Sequence, residues 1–385
     1  MFSELSKCIS AEIPKDKRKK EGIFFTETKT VEYIIQSVGE HVSNCCYILE
    51  PSCGSCEFVD AIHKFNQKCI IHAVEYNKFI FDKVSHKENE HIKIFNCDFI
   101  TFDTEIKYDL IIGNPPFFNI SKKDVEKKYH SYINGRFNIY ILFIIKSLEL
   151  LNDNGMICFI IPQNFLSCFY YDRLRKHINN NYQIIDIENL KTTFIDTKQD
   201  TILIKIKKTN EKYLNSDYTL NISDMTVLGT ETEIKLLKEV LSGSTTLSKL
   251  GFKCGVGDFV WNQNKNKLSY EETETRVIYA SSFSNKHKTK PNYASVEGNN
   301  TPVIAINRGY GVGKFKLDTD LIDGTYKYVL ENHILYIEDK SSKIGLQQLN
   351  EMLKHPKTQK FIEVYFKNSS INVRELSYIL PLYEI

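Results

Sequence analysis

The sequence predicts a doubly wound α/β domain followed by a smaller mixed α+β domain. Three observations predict it. Short apolar runs alternate with amphipathic stretches through the first half of the chain, as strands separated by helices do. The pattern breaks after Lys207: Lys208–Asp217 is polar and linker-like, and from about Leu241 irregular strands and glycine turns take over. At 385 residues the chain is long enough for two domains, since one domain usually takes roughly 100–200 residues. The domains expected are 1–240 and 241–385.

Each element follows from its residues. Val31–Val38 reads as a helix after a polar entry, and Cys46–Leu49 as a strand closed by Glu50-Pro51. In Phe58–Phe65 the side chains of Phe58, Ile62 and Phe65 share one helical face. Cys69–Val74 and Lys93–Phe95 read as strands, as does Asp109–Gly113, which Asn114-Pro115-Pro116 stops. Tyr140–Leu151 is apolar nearly all round, the mark of a buried helix. A turn at Asn152–Gly155 precedes a buried strand, Met156–Ile161, and Ile184–Ile187 and Thr201–Ile206 are two late strands. Helical stretches near Leu346–His355 and Thr358–Tyr365 close the chain. Ligands of such sheets sit beyond the carboxyl ends of the strands, so those ends are where chemistry is expected.

Composition excludes several classes. With 42% hydrophobic and 25% charged residues the chain is not globally disordered. A net charge of +2 excludes a histone-like polycation but not a local basic face. No apolar run reaches the roughly 18–20 residues of a membrane span. Met1–Lys20 carries Lys15, Lys17, Arg18, Lys19 and Lys20 and no apolar segment of the signal-peptide kind. The ten cysteines then read as reduced thiols, and a cytoplasmic, non-membrane protein is expected.

The sharpest string is Asp109-Leu-Ile-Ile-Gly-Asn-Pro-Pro-Phe117. Two prolines fix φ and remove two donors. The Asn114 amide oxygen and the Pro115 carbonyl can then face one amino group as acceptors, and Phe117 can lie flat on a planar ring. An amine on an aromatic ring is a poor nucleophile because its lone pair is delocalised. Two acceptors on its hydrogens draw the nitrogen toward sp³ and return that density, with no strong base required.

A second string, Tyr47-Ile-Leu-Glu-Pro-Ser-Cys-Gly-Ser-Cys-Glu-Phe58, is a strand, a small-residue loop and a helix start. Glu75 ends the next strand, where an acid can accept both hydroxyls of a ribose, and Asp98 ends the one after, where it can accept from an adenine amine. Acids at three successive strand ends describe an adenosine pocket. Cys53-Gly-Ser-Cys56 also spells a C-x-x-C pair, which leaves open a redox pair or half of a zinc site beside plain small residues in a tight loop.

These residues resemble amino-group DNA methyltransferases. Gly22-Ile-Phe-Phe-Thr26, Leu49-Glu-Pro-Ser-Cys-Gly54, Glu75, Asp98-Phe99 and Asn114-Pro-Pro-Phe117 look like that family's motifs X, I, II, III and IV, in the order of the gamma class. Arg136–Tyr140, Asn154–Pro162 and Phe194–Ile206 resemble motifs V, VI and VIII, and the C-terminal region resembles the target-recognition domain of type II adenine-N6 enzymes of restriction–modification systems. The resemblance implies a Rossmann-like sheet that binds S-adenosyl-L-methionine, releases S-adenosyl-L-homocysteine and needs no metal. It implies that Thr26 and the loop Glu50, Pro51, Ser52, Cys53, Gly54 hold the methionine end, that Glu75 takes the ribose, and that Asp98, with Phe99 beside it, takes the adenine amine. Asn114 and Pro115 would accept from the target N6 amine, Phe117 would stack on an adenine flipped out of duplex DNA, and Phe194 would meet that base from its other side. The enzyme would act as a monomer beside a separate restriction endonuclease. In the recognition domain Lys265, Lys267, Arg276, Lys286, Lys288, Lys290, Arg308 and Lys314 interleave with Trp261, Tyr279, Phe283, Tyr293 and Tyr310, as phosphate and base contacts would.

The family usually has glycine where this chain has Cys56. If that position needs positive φ, cysteine is strained there by about 1–2 kcal/mol. Four other readings stay open. RNA amino-group enzymes and enzymes acting on a protein glutamine amide use the same corner; cytosine-N4 enzymes more often place Ser before Pro-Pro; and an inactive fold could serve as a DNA-binding specificity protein.

Overall fold

The computed structural model describes residues 2–190, 200–280, 291–309, 313–340 and 344–384. The chain forms two compact units, Met1–Asn221 with Met225–Ile234, and Ile222–Asp224 with Lys235–Ile385. The first unit is built on seven strands: β1 (Tyr47–Glu50), β2 (Ile70–Val74), β3 (Ile92–Phe95), β4 (Tyr108–Gly113), β5 (Leu151–Pro162), β6 (Gln183–Leu190) and β7 (Thr201–Lys207). They form one sheet in the order β3-β2-β1-β4-β5-β7-β6. The first five pair in parallel, and β7 runs antiparallel to both β5 and β6. This is the Rossmann-like α/β sheet that the alternating pattern predicts. Its strand order reverses between β1 and β4, and a crevice opens at such a reversal.

The helices are α1 (Glu4–Glu12), α2 (Lys15–Glu21), α3 (Thr28–Ser37), α4 (Gly39–Asn44), α5 (Glu57–Phe65), α6 (Lys78–Val84), α7 (Ile139–Leu150) and α8 (Asp172–Asn181). The strands are apolar on both faces because helices cover both. Ile111 of β4 joins the core under α7, while its neighbours Leu110 and Ile112 join the core under α3 and α5. Burying each such side chain is worth roughly 1.5–3 kcal/mol. The turn expected at Asn152–Gly155 is absorbed into β5 as an irregularity: the register slips between Tyr108 and Leu110, and Asn154 takes φ +66°. Asparagine tolerates that left-handed conformation better than most residues.

The N-terminal segment is helical. Ile9 and Ile13 pack with Phe25 and Ile80, and the Arg18 guanidinium donates to the carbonyls of Ser10 and Ile13. The hydroxyls of Ser3, Ser6 and Ser55 all donate to the Glu57 carboxylate, which ties α1 to the start of α5.

In the second unit, Phe252–Val256, Ile334–Asp339, Val303–Asn307 and Thr319–Ile322 form one four-stranded sheet in that order. Leu268–Ser269, Tyr293–Ala294, Thr275–Ile278 and Tyr328–Leu330 form another. Helices Leu346–Leu353 and Pro356–Tyr365 lie where the apolar spacing predicts them. Among the described residues no helix is long and apolar enough to cross a membrane.

Candidate active site

The ends of β1, β2 and β4 meet at the crevice. β4 delivers Gly113 and then the corner Asn114-Pro115-Pro116-Phe117. The backbone of Gly113 lies so close to Glu50, at the end of β1, that an added Cβ would sit 3.0 Å from Glu50 Oε1. On the other side, Gly22 takes φ +67° and touches the corner: a Cβ there would stand 2.9 Å from the Phe117 backbone nitrogen. Only glycine fits both the conformation and the space.

Asn114 is held by both its side chain and its backbone. Its Nδ2 donates to the Phe24 carbonyl at 3.2 Å and to Thr26 Oγ1 at 3.1 Å. The Ser52 hydroxyl donates to the Asn114 backbone carbonyl at 3.2 Å. The amide oxygen, Oδ1, is buried with no hydrogen-bond partner. An unsatisfied buried acceptor costs about 1–3 kcal/mol, and this one keeps both lone pairs for a ligand. Phe117 is buried beside Phe24, their rings stacked at 6.2 Å and 27°, with Tyr140 edge-on at 5.9 Å. The Tyr140 hydroxyl donates to Asn164 Oδ1 at 3.2 Å, which fixes that ring in turn.

Two carboxyl groups lie buried below the corner. Glu50 is 2% exposed, and its Oε2 has no partner. Burial, reinforced by the charges of Glu57 and Glu75, holds it well above the ordinary carboxylate range. Glu75 Oε2 accepts from the Gly54 N–H at 2.9 Å and Oε1 from the Asn77 N–H at 2.7 Å, so it bridges two strand-end loops. Burial pushes it up to about 7 despite those two donors. Its folded value lies above its unfolded one, so the stability it gives is full below the unfolded value and is lost as pH rises through 7.

The remaining residues of the expected pocket are spread more widely. Pro51 and Cys53 are buried in the β1–α5 loop, Ser52 and Gly54 half-buried. Asp98 is exposed, and its Oδ1 accepts from the Ile100 N–H at 2.9 Å. Phe99 is a core residue, 1% exposed and 4.9 Å from the Phe143 ring. The exposed aromatic at this edge is Tyr76, 71% exposed and directly after Glu75. Its signal in the sequence was an aromatic next to a strand-end acid. Phe194, Lys286, Lys288, Lys290, Phe283 and Tyr310 lie outside the described residues.

The C-x-x-C pair lies in the tight β1–α5 loop. Both cysteines are buried, and a hydrogen bond with Cys56 and then burial raise the Cys53 thiol well above its ordinary value. A redox-active thiol needs the opposite shift. Among the described residues no group of three or more His, Cys, Asp or Glu could hold a metal ion. Cys56 has φ +69° and ψ +25°, in the left-handed region. Cys56→Gly removes about 1–2 kcal/mol of strain and loses part of that gain with the buried thiol and with added chain entropy. A net gain of up to about 1 kcal/mol is expected in denaturant unfolding, with cofactor affinity equal or tighter. A lower midpoint would show that no strain is stored there.

Residues 10–195 match the family described as Eco57I restriction-modification methylase. The chain is 26% identical to the modification methylase CviBIII of Paramecium bursaria Chlorella virus NC1A, over 99% of both chains. It is 25% identical to the type II methyltransferase M.CvrRI of Paramecium bursaria Chlorella virus XZ-6E, over 88% of both. With the type II methyltransferase M.HincII of Haemophilus influenzae it shares 28% identity over 49% of this chain and 37% of that one. The sheet, the Asn-Pro-Pro-Phe corner and these matches point the same way: the chain is similar to restriction–modification methylases.

Proposed function

We propose that this protein is a site-specific DNA methyltransferase that uses S-adenosyl-L-methionine to methylate the N6 amine of an adenine flipped out of the duplex. The observation that carries this reading is the unpartnered Asn114 Oδ1 at a diproline corner, beside a buried carboxyl with an unpartnered oxygen of its own. The residues fit the cofactor. Its ammonium and sulfonium are cations, and Glu50 Oε2 is a buried acceptor without a donor. Its ribose offers two hydroxyls, and each Glu75 oxygen has a lone pair beyond the one taken by backbone. Asp98 Oδ2 and the exposed Tyr76 ring suit an adenine amine and its face. Bound there, S-adenosylmethionine supplies an electrophilic methyl group on sulfur.

The chain's own part is positioning. Asn114 Oδ1 and the Pro115 carbonyl accept the two hydrogens of the target amine and restore lone-pair density on its nitrogen. Phe117, backed by Phe24 and Tyr140, holds the planar base, and such stacking offsets part of the few kcal/mol that flipping costs. Holding both reactants in line is where most of the acceleration comes from. Asparagine before Pro-Pro, and not serine, favours adenine over cytosine.

The second unit is the proposed DNA-reading part. Arg276 stands 5.0 Å over the Tyr326 ring, and Lys265 Nζ 5.6 Å over the Trp261 ring. Cations fixed on aromatic rings suit phosphate and base edges. A cognate restriction endonuclease acting separately, a monomeric state and a cytoplasmic setting belong to the same proposal.

Labelled methyl transfer to unmodified duplex DNA, RNA and a glutamine peptide, followed by nucleoside analysis, tests it. Labelled N6-methyladenine from duplex DNA is expected. Label confined to RNA or peptide, or found as N4-methylcytosine, contradicts it. The Glu75 carboxyl adds a pH dependence. Because it titrates at about 7 and the ionised form is the acceptor for the ribose, cofactor affinity should rise as pH passes upward through that value. Calorimetry across this range checks the slope, which Glu75→Gln should flatten; a flat wild-type profile speaks against Glu75 as the ribose acceptor.

A further inference from the structure

We infer that Thr26 is a positioning residue for methyl transfer: its hydroxyl, together with the Phe24 carbonyl, fixes the Asn114 amide in the one orientation that presents Oδ1 to the target amine. The inference rests on the role proposed above for Asn114.

The orientation follows from chemistry. A backbone carbonyl can only accept a hydrogen bond, so the amide atom 3.2 Å from the Phe24 oxygen must be the nitrogen. Turning the amide over would set two oxygens against each other. The amide nitrogen has two hydrogens, and one carbonyl uses one of them. Thr26 Oγ1, at 3.1 Å, takes the second. The backbone carbonyl of Asn114 is meanwhile held by Ser52. With those three groups engaged, Oδ1 is the acceptor left over, and it has no partner. Thr26 is 5% exposed, so water does not readily replace its hydroxyl if that is removed. Valine keeps the shape of threonine and removes the acceptor; serine keeps the acceptor.

This differs from direct contact with the methionine end of the cofactor, and the two roles separate kinetically. Full-length wild type, Thr26→Val, Thr26→Ser and Asn114→Ala are assayed for labelled methyl transfer to unmethylated plasmid DNA, and cofactor affinity is measured by calorimetry. Thr26→Val is expected to lower kcat by about 5- to 30-fold, as loss of one buried hydrogen bond does, with cofactor Kd unchanged. Thr26→Ser should restore most of that rate. A rise in Kd with kcat unchanged would make Thr26 a cofactor ligand only and overturn the inference. Wild-type kcat in Thr26→Val beside an inactive Asn114→Ala overturns it while sparing the reading of Asn114; activity in Asn114→Ala overturns that reading itself. If Thr26→Val does not fold, NMR of the wild type decides. The side-chain NH2 signals of Asn114, assigned by their loss in Asn114→Ala, should exchange slowly with water. Exchange as fast as that of exposed amides contradicts the inference.

Discussion

Asn114→Ala should lower methyl transfer by roughly 100- to 1,000-fold, the loss that follows when a pre-positioned polar group facing the reacting atoms is removed. The fold should survive. Asn114 Oδ1 has no protein partner to lose, and the amide nitrogen gives up only two hydrogen bonds, to Phe24 and Thr26. Removing the buried unsatisfied oxygen even returns part of that cost. Cofactor binding should change little, because Glu50 and Glu75 stay in place. Asn114→Asp should also be impaired. It keeps an acceptor but sets a carboxylate oxygen against the Phe24 carbonyl, so the side chain cannot stay where it is. Single-turnover rates with labelled cofactor, beside cofactor Kd, separate these effects. Turnover within a few-fold of wild type in Asn114→Ala would remove Asn114 from the chemistry.

Arg175→Met is expected to destabilise the first unit by about 3–5 kcal/mol, the usual loss when one partner of a buried ion pair is removed. Arg175 is completely buried in α8. Its Nε donates to the Thr226 carbonyl at 2.6 Å, and Nη1 donates to the carbonyls of Phe165 at 3.0 Å and Cys168 at 2.7 Å. Asp172 lies 3.6 Å away and accepts from the Thr226 N–H at 2.8 Å. Methionine fills much of the volume but takes a donor from three carbonyls, of which Cys168 keeps the Tyr171 N–H, and leaves Asp172 without its buried partner. The loop so clamped carries Asn164 and Phe165, which back Tyr140 and through it Phe117. Lost activity should therefore accompany the lost stability. Denaturant unfolding of the full chain, followed by a probe in the first unit, reads the effect. A loss below about 1 kcal/mol would mean that water satisfies those carbonyls.

The parallel core of the sheet was legible because its strands are short, apolar and stopped by Pro or acid: β4 ends at Asn114-Pro115 and β1 at Glu50-Pro51, as their residues dictate. The three strand-end acids were legible for the same reason. What escaped is what long-range contacts decide. α1 and α2 are polar, with serine and lysine on most faces, and are held by Glu57 and by Arg18 hydrogen bonds that spacing alone does not reveal. Arg175, in Tyr171-Asp-Arg-Leu-Arg, looks like a surface charge until the carbonyls around it are seen. Asp98 caps a short 3₁₀ turn that sends Phe99 into the core, while Tyr76, directly after Glu75, is exposed; spacing alone shows neither. The positive φ of Cys56 was inferable only as a condition, since sequence shows the residue and not its backbone.

A crystal structure of the protein with a non-reactive cofactor analogue and duplex DNA tests the central claim most directly. The account predicts an adenine outside the helix, its amine nitrogen about 3 Å from both Asn114 Oδ1 and the Pro115 carbonyl oxygen, with Asn114 Nδ2 still on Thr26 and Phe24. An amide oxygen that faces away from the bound base, or a base whose amine finds other acceptors, would contradict it.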